Sequence, residues 1–328
     1  MRASRSLVTP AALLCSAAVA GCGLGPGTSS RGTATLTVTR DYGTKTVVEA
    51  SDRDPPESET VIRLLDREAE ITTRYGGGFV QSIDGVSGTE SQGRRNDWFF
   101  YVNGIESPVG GADVRVHGGD RIWWDYRDWT DAMRVPDVVG SWPEPFAQRS
   151  SDPKRRLPVR VECGTGRAVC ADVANRLAGA GAEARVEPLG SRRGGARRSL
   201  QVLVGPWRAI RGDPAASLGG PSASGVFATF KPGGHGRFEL VLADPRAEPR
   251  CGYRSSAGLV AAVEAPGGLS TWLVTGTDRT GVRRAAGVLD ARDLRDRYAV
   301  AAPPHGPPLG VPVAAEAGDH ASCSGEAG

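Results

Sequence analysis

Several features that mark common protein classes are missing from this sequence of 328 residues. After the first 25 positions it has no apolar run long enough to span a bilayer, which argues against a polytopic membrane protein. It also lacks an excess of one charge, because 40 Lys and Arg balance 37 Asp and Glu, for a formal net charge of +3. Nucleic-acid binders gain affinity mainly by neutralising phosphates. The sequence therefore predicts a soluble chain of two modest domains with no nucleic-acid partner.

Motifs of catalysis and metal binding are scarce as well. The sequence contains no closely spaced pair of metal ligands, no Gly-x-Ser-x-Gly and no Gly-x-Gly-x-x-Gly. The segment from Gly276 to Gly281 has the spacing of a phosphate loop, but Val282 and Arg283 stand where Lys and Ser or Thr are needed. It is more simply a Gly-rich connection from strand to helix, with an anion at the helix N-terminus as the alternative. We predict a non-enzymatic protein without a cofactor or metal, and an enzyme dependent on Asp278 is the weakest alternative.

The N-terminus carries the most specific signal. Arg2 and Arg5 precede a short apolar stretch that ends in Ala20-Gly21-Cys22, which is typical of a secretory signal peptide. The Ala-Gly-Cys end resembles the lipobox of bacterial lipoproteins, in which the cysteine thiol receives diacylglycerol and becomes the first mature residue. We therefore expect a signal peptide over 1–21, lipidation at Cys22 and a flexible tether over 22–32. This predicts a protein held by lipid on the extracytoplasmic face of the cell membrane.

The remaining cysteines agree with an oxidising compartment. Cys163, Cys170, Cys251 and Cys323 remain once the signal peptide and the lipidated cysteine are set aside. Cys163 ends a strand-like run and Cys170 begins a helix-like one, so a disulfide between them would lock the turn. Zinc is the rival explanation, although the spacing of the ligands does not favour it. The pairing of Cys251 with Cys323 stays open.

Periodicity divides the chain into two parts joined by a Pro-rich segment. Residues 33–133 have the order hairpin, helix and further strands, with the helix marked by the spacing of Val61, Leu64 and Leu65 and a tight turn at Asn103-Gly104. This order is typical of a β-grasp-like domain. After a linker over 134–158, strand-like runs alternate with helical ones at Cys170, Gly258 and Gly281, which predicts an α/β domain over 159–302. The expected fold class is α+β, followed by a disordered tail over 303–328.

Aromatic residues cluster in the first part. Five of the seven tryptophans lie between positions 98 and 142, within Asp97-Trp-Phe-Phe-Tyr-Val-Asn-Gly and Gly118-Gly-Asp-Arg-Ile-Trp-Trp-Asp-Tyr. This stretch resembles the transcobalamin-like C-terminal domain family of bacterial surface proteins. In the cobalamin carriers of that family the β-domain closes over cobalamin held against a larger helical barrel, which has no counterpart in this sequence. The resemblance implies a β-grasp fold and a corrinoid as one candidate ligand.

Aromatic side chains alternate to both faces of the two predicted strands. One interpretation is packing, with a helix on one face and loops or the second domain on the other. The functional interpretation is an exposed platform for a flat ligand, a sugar or a partner. The candidate ligand-binding residues are Trp98, Tyr101, Asn103, Trp123 and Trp129.

We interpret the sequence as that of a cell-surface lipoprotein that binds a solute without catalysis or serves as an accessory component of an uptake system. The solute would be a corrinoid or another large ligand, and a transporter is a candidate partner. An envelope module that holds proteins or wall polymers is the main alternative.

Overall fold

The computed structural model describes residues 28–149, 157–191 and 198–313. The fold is predominantly β, with 41% strand against 17% helix. The prediction of an α+β protein with a C-terminal α/β domain is therefore wrong. The predicted lipidation site Cys22, the signal peptide and Cys323 lie outside the described residues. No helix in the described ranges is both long enough and apolar enough to cross a membrane.

The first part of the chain is built on a six-stranded sheet. The strand order is β2-β1-β9-β7-β6, and β8 pairs with β7. β1 runs parallel to β9 and antiparallel to β2, so the first strand lies in the interior of the sheet. Its strands are β1 (Thr33–Arg40), β2 (Lys45–Arg53), β6 (Thr89–Ser91), β7 (Arg94–Val102), β8 (Ile105–Glu106) and β9 (Arg121–Asp128), while β3 (Ile71–Arg74), β4 (Phe79–Ile83) and β5 (Val86–Ser87) form a separate small sheet.

Helix α1 (Val61–Glu68) covers one face of the first sheet. The Thr60 side chain caps it by accepting a hydrogen bond from the backbone N–H of Arg63 at 3.3 Å, which satisfies one of the free donors of the first turn. Val61, Leu64 and Leu65 are fully buried on the inner side of the helix, as their spacing predicts. They pack in an apolar cluster with one face of β1, β7 and β9.

The second part is built on a seven-stranded mixed sheet. The order is β11-β10-β12-β17-β16-β18-β19, with parallel pairing from β11 to β17 and antiparallel pairing beyond it. The strands are β10 (Val159–Cys163), β11 (Ala184–Pro188), β12 (Leu200–Pro206), β16 (Gly258–Ala265), β17 (Leu269–Gly276), β18 (Ala299–Ala302) and β19 (Leu309–Val311), and a further sheet holds β13 (Ala228–Pro232), β14 (Phe238–Ala243) and β15 (Pro249–Tyr253).

Two helices cover one face of the large sheet. α2 (Arg167–Gly179) and α5 (Arg279–Gly287) pack there around the fully buried indole of Trp272. The other face packs against the small sheet of β13 to β15 and against the first part of the chain. Three short helices complete this part, α3 (Trp207–Ile210), α4 (Pro221–Ser224) and α6 (Ala291–Leu294).

The two parts share one apolar cluster, which we call the shared core. Tyr42, Tyr101 and Trp123 enter it from the first part, and Phe227 and Tyr298 enter it from the second. Trp123 packs edge-to-face on Tyr298 with ring centroids 5.3 Å apart. The face of the first sheet opposite α1 is thus covered by the second part of the chain. This explains why aromatic residues occur on both faces of its strands.

Two further contacts fix the parts together. Gly43, in the β1–β2 turn, has φ of +81°, and a Cβ atom there would lie 1.8 Å from the carbonyl oxygen of Asp296. Only glycine allows this close approach. The Pro-rich segment predicted as a linker is also packed, because Val139 donates its N–H to Tyr298 and the Trp142 indole lies against Trp272.

Two local predictions are wrong. The run from Gly258 is strand β16 rather than a helix. β16 is buried on both faces over most of its length, so it lacks the alternation that marks a half-exposed strand. In the tail predicted to be disordered, Leu309–Val311 form β19 and pair with β18.

The disulfide between Cys163 and Cys170 is confirmed. It joins the end of β10 to the first turn of α2, with Cα atoms 5.8 Å apart. Cys251, on β15, is also disulfide-bonded.

We expect the double variant Cys163→Ala/Cys170→Ala to lose about 2 kcal/mol of unfolding free energy. The bridge closes a short loop and so reduces the conformational entropy of the unfolded chain. Urea denaturation of the oxidised wild type and the variant measures the difference. A loss below about 0.5 kcal/mol would show that the turn is held by packing alone.

Candidate ligand-binding site

Four of the five candidate ligand-binding residues are buried, and the three aromatic ones among them lie in apolar clusters. Trp98 packs with Tyr126 beneath α1 and donates its indole N–H to the carbonyl of Val86 at 2.8 Å. Tyr101 and Trp123 lie in the shared core. The ring faces of all three are taken up by protein contacts: Trp98 packs within the first part, and Tyr101 and Trp123 pack between the two parts.

A buried polar chain accompanies these aromatic rings. The Trp123 indole donates to Thr39 Oγ1 at 2.7 Å, and Thr39 Oγ1 donates to Asp125 Oδ1 at 2.6 Å. The Tyr298 hydroxyl donates to the other oxygen of Asp125 at 2.9 Å. Burial raises the pKa of Asp125 to about 6, although the hydrogen bonds to its carboxylate oppose this shift. The chain of bonds crosses the junction and fixes the orientation of the two parts.

An open cavity of about 380 Å3 lies where the two parts meet, and we call it the interdomain cleft. One wall is formed by the end of β7, by β8 and by the loop that follows. The other wall is formed by the start of β12 and of β17, and the joining segment closes the bottom. Its apolar lining consists of Val102, Ile105, Pro108, Val109, Val114, Pro145, Leu157, Leu200 and Leu269.

Two of these apolar side chains are unusually exposed. Ile105 is 42% exposed and Val109 is 50% exposed. An aliphatic side chain facing a concave surface loses contact with water when a ligand enters, which favours binding. The cleft therefore offers apolar area that the fold itself does not use.

A small set of polar groups borders the apolar lining. Asn103 lies at the rim in the left-handed conformation, with φ of +56°, and its side chain bridges Asp120 and the backbone N–H of Arg121. Glu106 supplies a partly exposed carboxylate, whereas the carboxylate of Glu144 is buried and accepts the backbone N–H groups of Gln148 and Arg149. Burial raises the pKa of each of these two groups from its ordinary value. The cleft thus presents hydrogen-bond acceptors to a ligand that carries donors.

One buried and one exposed arginine lie beside Glu106. Its carboxylate oxygens lie 3.9 Å from the Arg127 guanidinium and 4.0 Å from that of Arg134, and it accepts the backbone N–H of Val135 at 3.1 Å. Arg127 is itself buried and donates to the carbonyls of Ala132 and Met133. This network fixes the polar edge of the cleft.

Trp129 occupies a different surface. It is half-buried, and the Arg95 guanidinium lies over its ring at 4.0 Å from the centroid. It lines a second groove together with Tyr75 and Phe79. The structure therefore separates the candidate residues. Three are packed in apolar clusters, Asn103 lines the interdomain cleft, and Trp129 lines this groove.

The phosphate-loop-like segment serves the fold. Asp278 caps α5 by accepting the backbone N–H of Gly281 at 2.9 Å, and its second oxygen accepts that of Ser256 at 2.7 Å. A Cβ atom at Gly281 would lie 2.1 Å from the carbonyl oxygen of Ala257. The start of α5 is thus packed against the backbone just before β16, and Asp278 is engaged in backbone hydrogen bonds.

Comparison with protein-family models identifies a domain within the first part. Residues 58–128 match a domain of unknown function, DUF4430. The DUF4430 segment extends from just before α1 to the end of β9 and leaves out β1 and β2. It includes Trp98, Tyr101, Asn103 and Trp123 and one wall of the interdomain cleft. The closer relationship to the transcobalamin-like family stays a prediction.

Among solved structures, the chain is similar to a protein from Ruminococcus gnavus ATCC 29149 described as "a putative metal binding protein". The identity is 15%, the TM-score is 0.24, and the match covers 30% of this chain and 98% of the other. A search of curated proteins finds no match. In residues 28–149, 157–191 and 198–313, no group of three or more His, Cys, Asp and Glu side chains is arranged to hold a metal ion.

The sequence did not reveal the exposed aliphatic and aromatic side chains that line the two surfaces. Ile105, Val109, Tyr75 and Phe79 lie in or beside loops, where single apolar residues carry no periodic pattern. The one available signal was Tyr75 directly before Gly76-Gly77-Gly78, an aromatic residue in a segment that otherwise favours a turn.

Proposed function

We propose that this protein is a lipid-anchored component of the extracytoplasmic membrane face that binds a solute, without catalysis, in the interdomain cleft. The predicted lipidation at Cys22 and the disulfide between Cys163 and Cys170 both support an oxidising compartment outside the cytoplasm. The observation that carries the proposal is the cleft itself, which combines an open apolar cavity with the carboxylate of Glu106 at the junction of two packed parts.

The lining defines the chemistry of the solute. Ile105 and Val109 favour an apolar body, while Glu106 favours hydrogen-bond donors on its edge. Ligand cavities generally range from roughly 300 to 1,000 Å3, so 380 Å3 accommodates a compact molecule or one edge of a larger one. A corrinoid fits this description as a candidate, because its ring carries amide side chains that donate hydrogen bonds.

Thermal-shift and calorimetric titrations of residues 23–328 with cyanocobalamin and dicyanocobinamide test the proposal. Binding to the folded state raises the melting temperature in proportion to ligand occupancy. Haemin is the matched comparison, because its propionates would bring further carboxylates to a cleft that Glu106 already lines. We expect saturable binding of a corrinoid and weaker binding of haemin.

The variant Val109→Asp tests whether binding occurs in the cleft. A charged group in the apolar wall must lose water when the ligand enters, so we expect affinity to fall at least about tenfold. Val47→Asp is the matched control, because Val47 is also an exposed valine and does not line the cleft. The proposal is wrong if none of the three ligands binds, or if Val109→Asp and Val47→Asp bind equally well.

A further inference from the structure

A second groove lies between the β3–β4 connection and the hairpin of β6 and β7. Its volume is about 510 Å3, and we call it the Tyr75 groove. Tyr75 and Phe79 line it from the small sheet, and Trp129 lines it from the end of β9. No residue lines both this groove and the interdomain cleft. The two surfaces can therefore be tested independently.

Tyr75 has a conformation that the fold does not explain. Its side chain is 87% exposed, so it contributes little to any core. Its φ is +54°, in the left-handed region where a bulky residue is strained and Gly or Asn is favoured. Strain of this kind is concentrated at functional sites, where a ligand contact offsets its cost. Nothing in the described fold requires an aromatic ring at this position.

Two further aromatic rings accompany Tyr75. Phe79 is 41% exposed, and its ring lies edge-on to Tyr75 with centroids 6.5 Å apart. Trp129 is the half-buried indole of the groove, while the other six tryptophans are buried. The exposed rings of Tyr75 and Phe79 offer broad apolar faces at low cost in side-chain entropy, and Trp129 has one face covered by the Arg95 guanidinium. The groove is thus suited to a ligand with flat C–H faces.

Charged side chains also line the groove, and the number of cations equals the number of anions. Arg74 and Arg95 supply two cations, while Glu90 and Asp97 supply two anions. Among the described residues Arg95 and Asp97 form no salt bridge, although both reach the groove. Asp97 Oδ1 accepts the backbone N–H of Trp98, and its other oxygen makes no hydrogen bond in the described part of the chain. The groove therefore offers hydrogen-bond donors and acceptors without a net charge.

We propose that the Tyr75 groove binds a neutral saccharide chain. Sugar rings present C–H faces that pack on aromatic rings, and their hydroxyl groups both donate and accept hydrogen bonds. Carboxylate, amide and guanidinium groups provide matching partners at the edges of the ring. Nucleic acid or anionic lipid would require an excess of cations, and the balanced lining does not provide one.

Fluorescence titration of residues 23–328 with chitotetraose and xylotetraose tests the proposal. Because Trp129 is the half-buried tryptophan of the groove, bound saccharide should protect it from quenching by acrylamide. Tyr75→Asn removes the ring and suits the left-handed backbone. We expect this variant to bind about tenfold more weakly while its melting temperature is unchanged or higher.

Tyr75→Phe keeps the ring and should bind within about threefold of the wild type. Val109→Asp should leave saccharide binding unchanged, because it alters only the interdomain cleft. The proposal is overturned if the wild type binds neither tetrasaccharide, or if Tyr75→Asn binds as tightly as the wild type. Protection of Trp129 by a proline-rich peptide, with no protection by either saccharide, would instead assign the groove to a polypeptide.

Discussion

Replacing Arg127 by methionine will lower the free energy of unfolding by about 3–5 kcal/mol. The Arg127 side chain is 1% exposed, and its guanidinium donates to the carbonyl oxygen of Ala132 at 2.7 Å and to that of Met133 at 3.2 Å. It also lies over the Phe99 ring at 3.8 Å and 3.9 Å from Glu106. Methionine fills similar space but leaves these acceptors without a donor, and an unsatisfied buried polar group is costly.

Arg134→Met is the matched control for this experiment. Arg134 lies at a similar distance from Glu106, at 4.0 Å, but its side chain is 60% exposed. Because exposed ion pairs contribute little to stability, we expect a loss of at most about 1 kcal/mol. Guanidinium chloride denaturation of both variants provides the comparison. Equal losses would show that burial of Arg127 is not what makes it important.

Asp137→Asn will make the protein more stable at pH 8 by about 2 kcal/mol. Asp137 is buried beside the interdomain cleft, and its Oδ1 has no hydrogen-bond partner among the described residues. Burial raises its pKa from 3.8 to about 7, since the charged form is poorly solvated there. Asparagine is similar in shape and carries no charge, so it avoids the cost of a buried anion at pH 8.

The direction of the pH dependence follows from the raised pKa. Between about pH 4 and pH 7 the folded protein retains a proton on Asp137 that the unfolded chain has released, so the stability of the wild type falls as pH rises. Asp125, whose pKa is raised to about 6, contributes in the same direction and remains in the variant. Urea denaturation from pH 4 to pH 8 should therefore show a shallower slope for Asp137→Asn. Parallel profiles for the two proteins would contradict this account.

Local features could be predicted from the sequence where one segment determines them. The spacing of Val61, Leu64 and Leu65 defined the buried side of α1, and Cys163 and Cys170 are close enough in sequence to pair across one turn. Features that depend on distant segments could not be predicted. β16 was mistaken for a helix because burial on both faces removes its alternation, and that burial depends on strands far along the chain.

The candidate site shows the same division. Trp123 and Tyr101 were candidate ligand-binding residues, but whether they face solvent depends on Tyr298 and its neighbours, which lie far along the chain and in the shared core. The interdomain cleft combines segments around positions 105, 145, 200 and 269, none of which carries a motif. Tyr75 became a candidate only when its exposure and its backbone conformation were known together.

The shared core also bears on how such a chain can be rearranged during evolution. The DUF4430 segment omits β1, which lies between β2 and β9 in the middle of its sheet, and it leaves Tyr101 and Trp123 to be covered by the second part. In this protein the segment therefore depends on the rest of the chain to complete its sheet and to cover its apolar face. A gene fusion that transferred it alone would give its new host an incomplete sheet and an open apolar face, which is a hazard for aggregation.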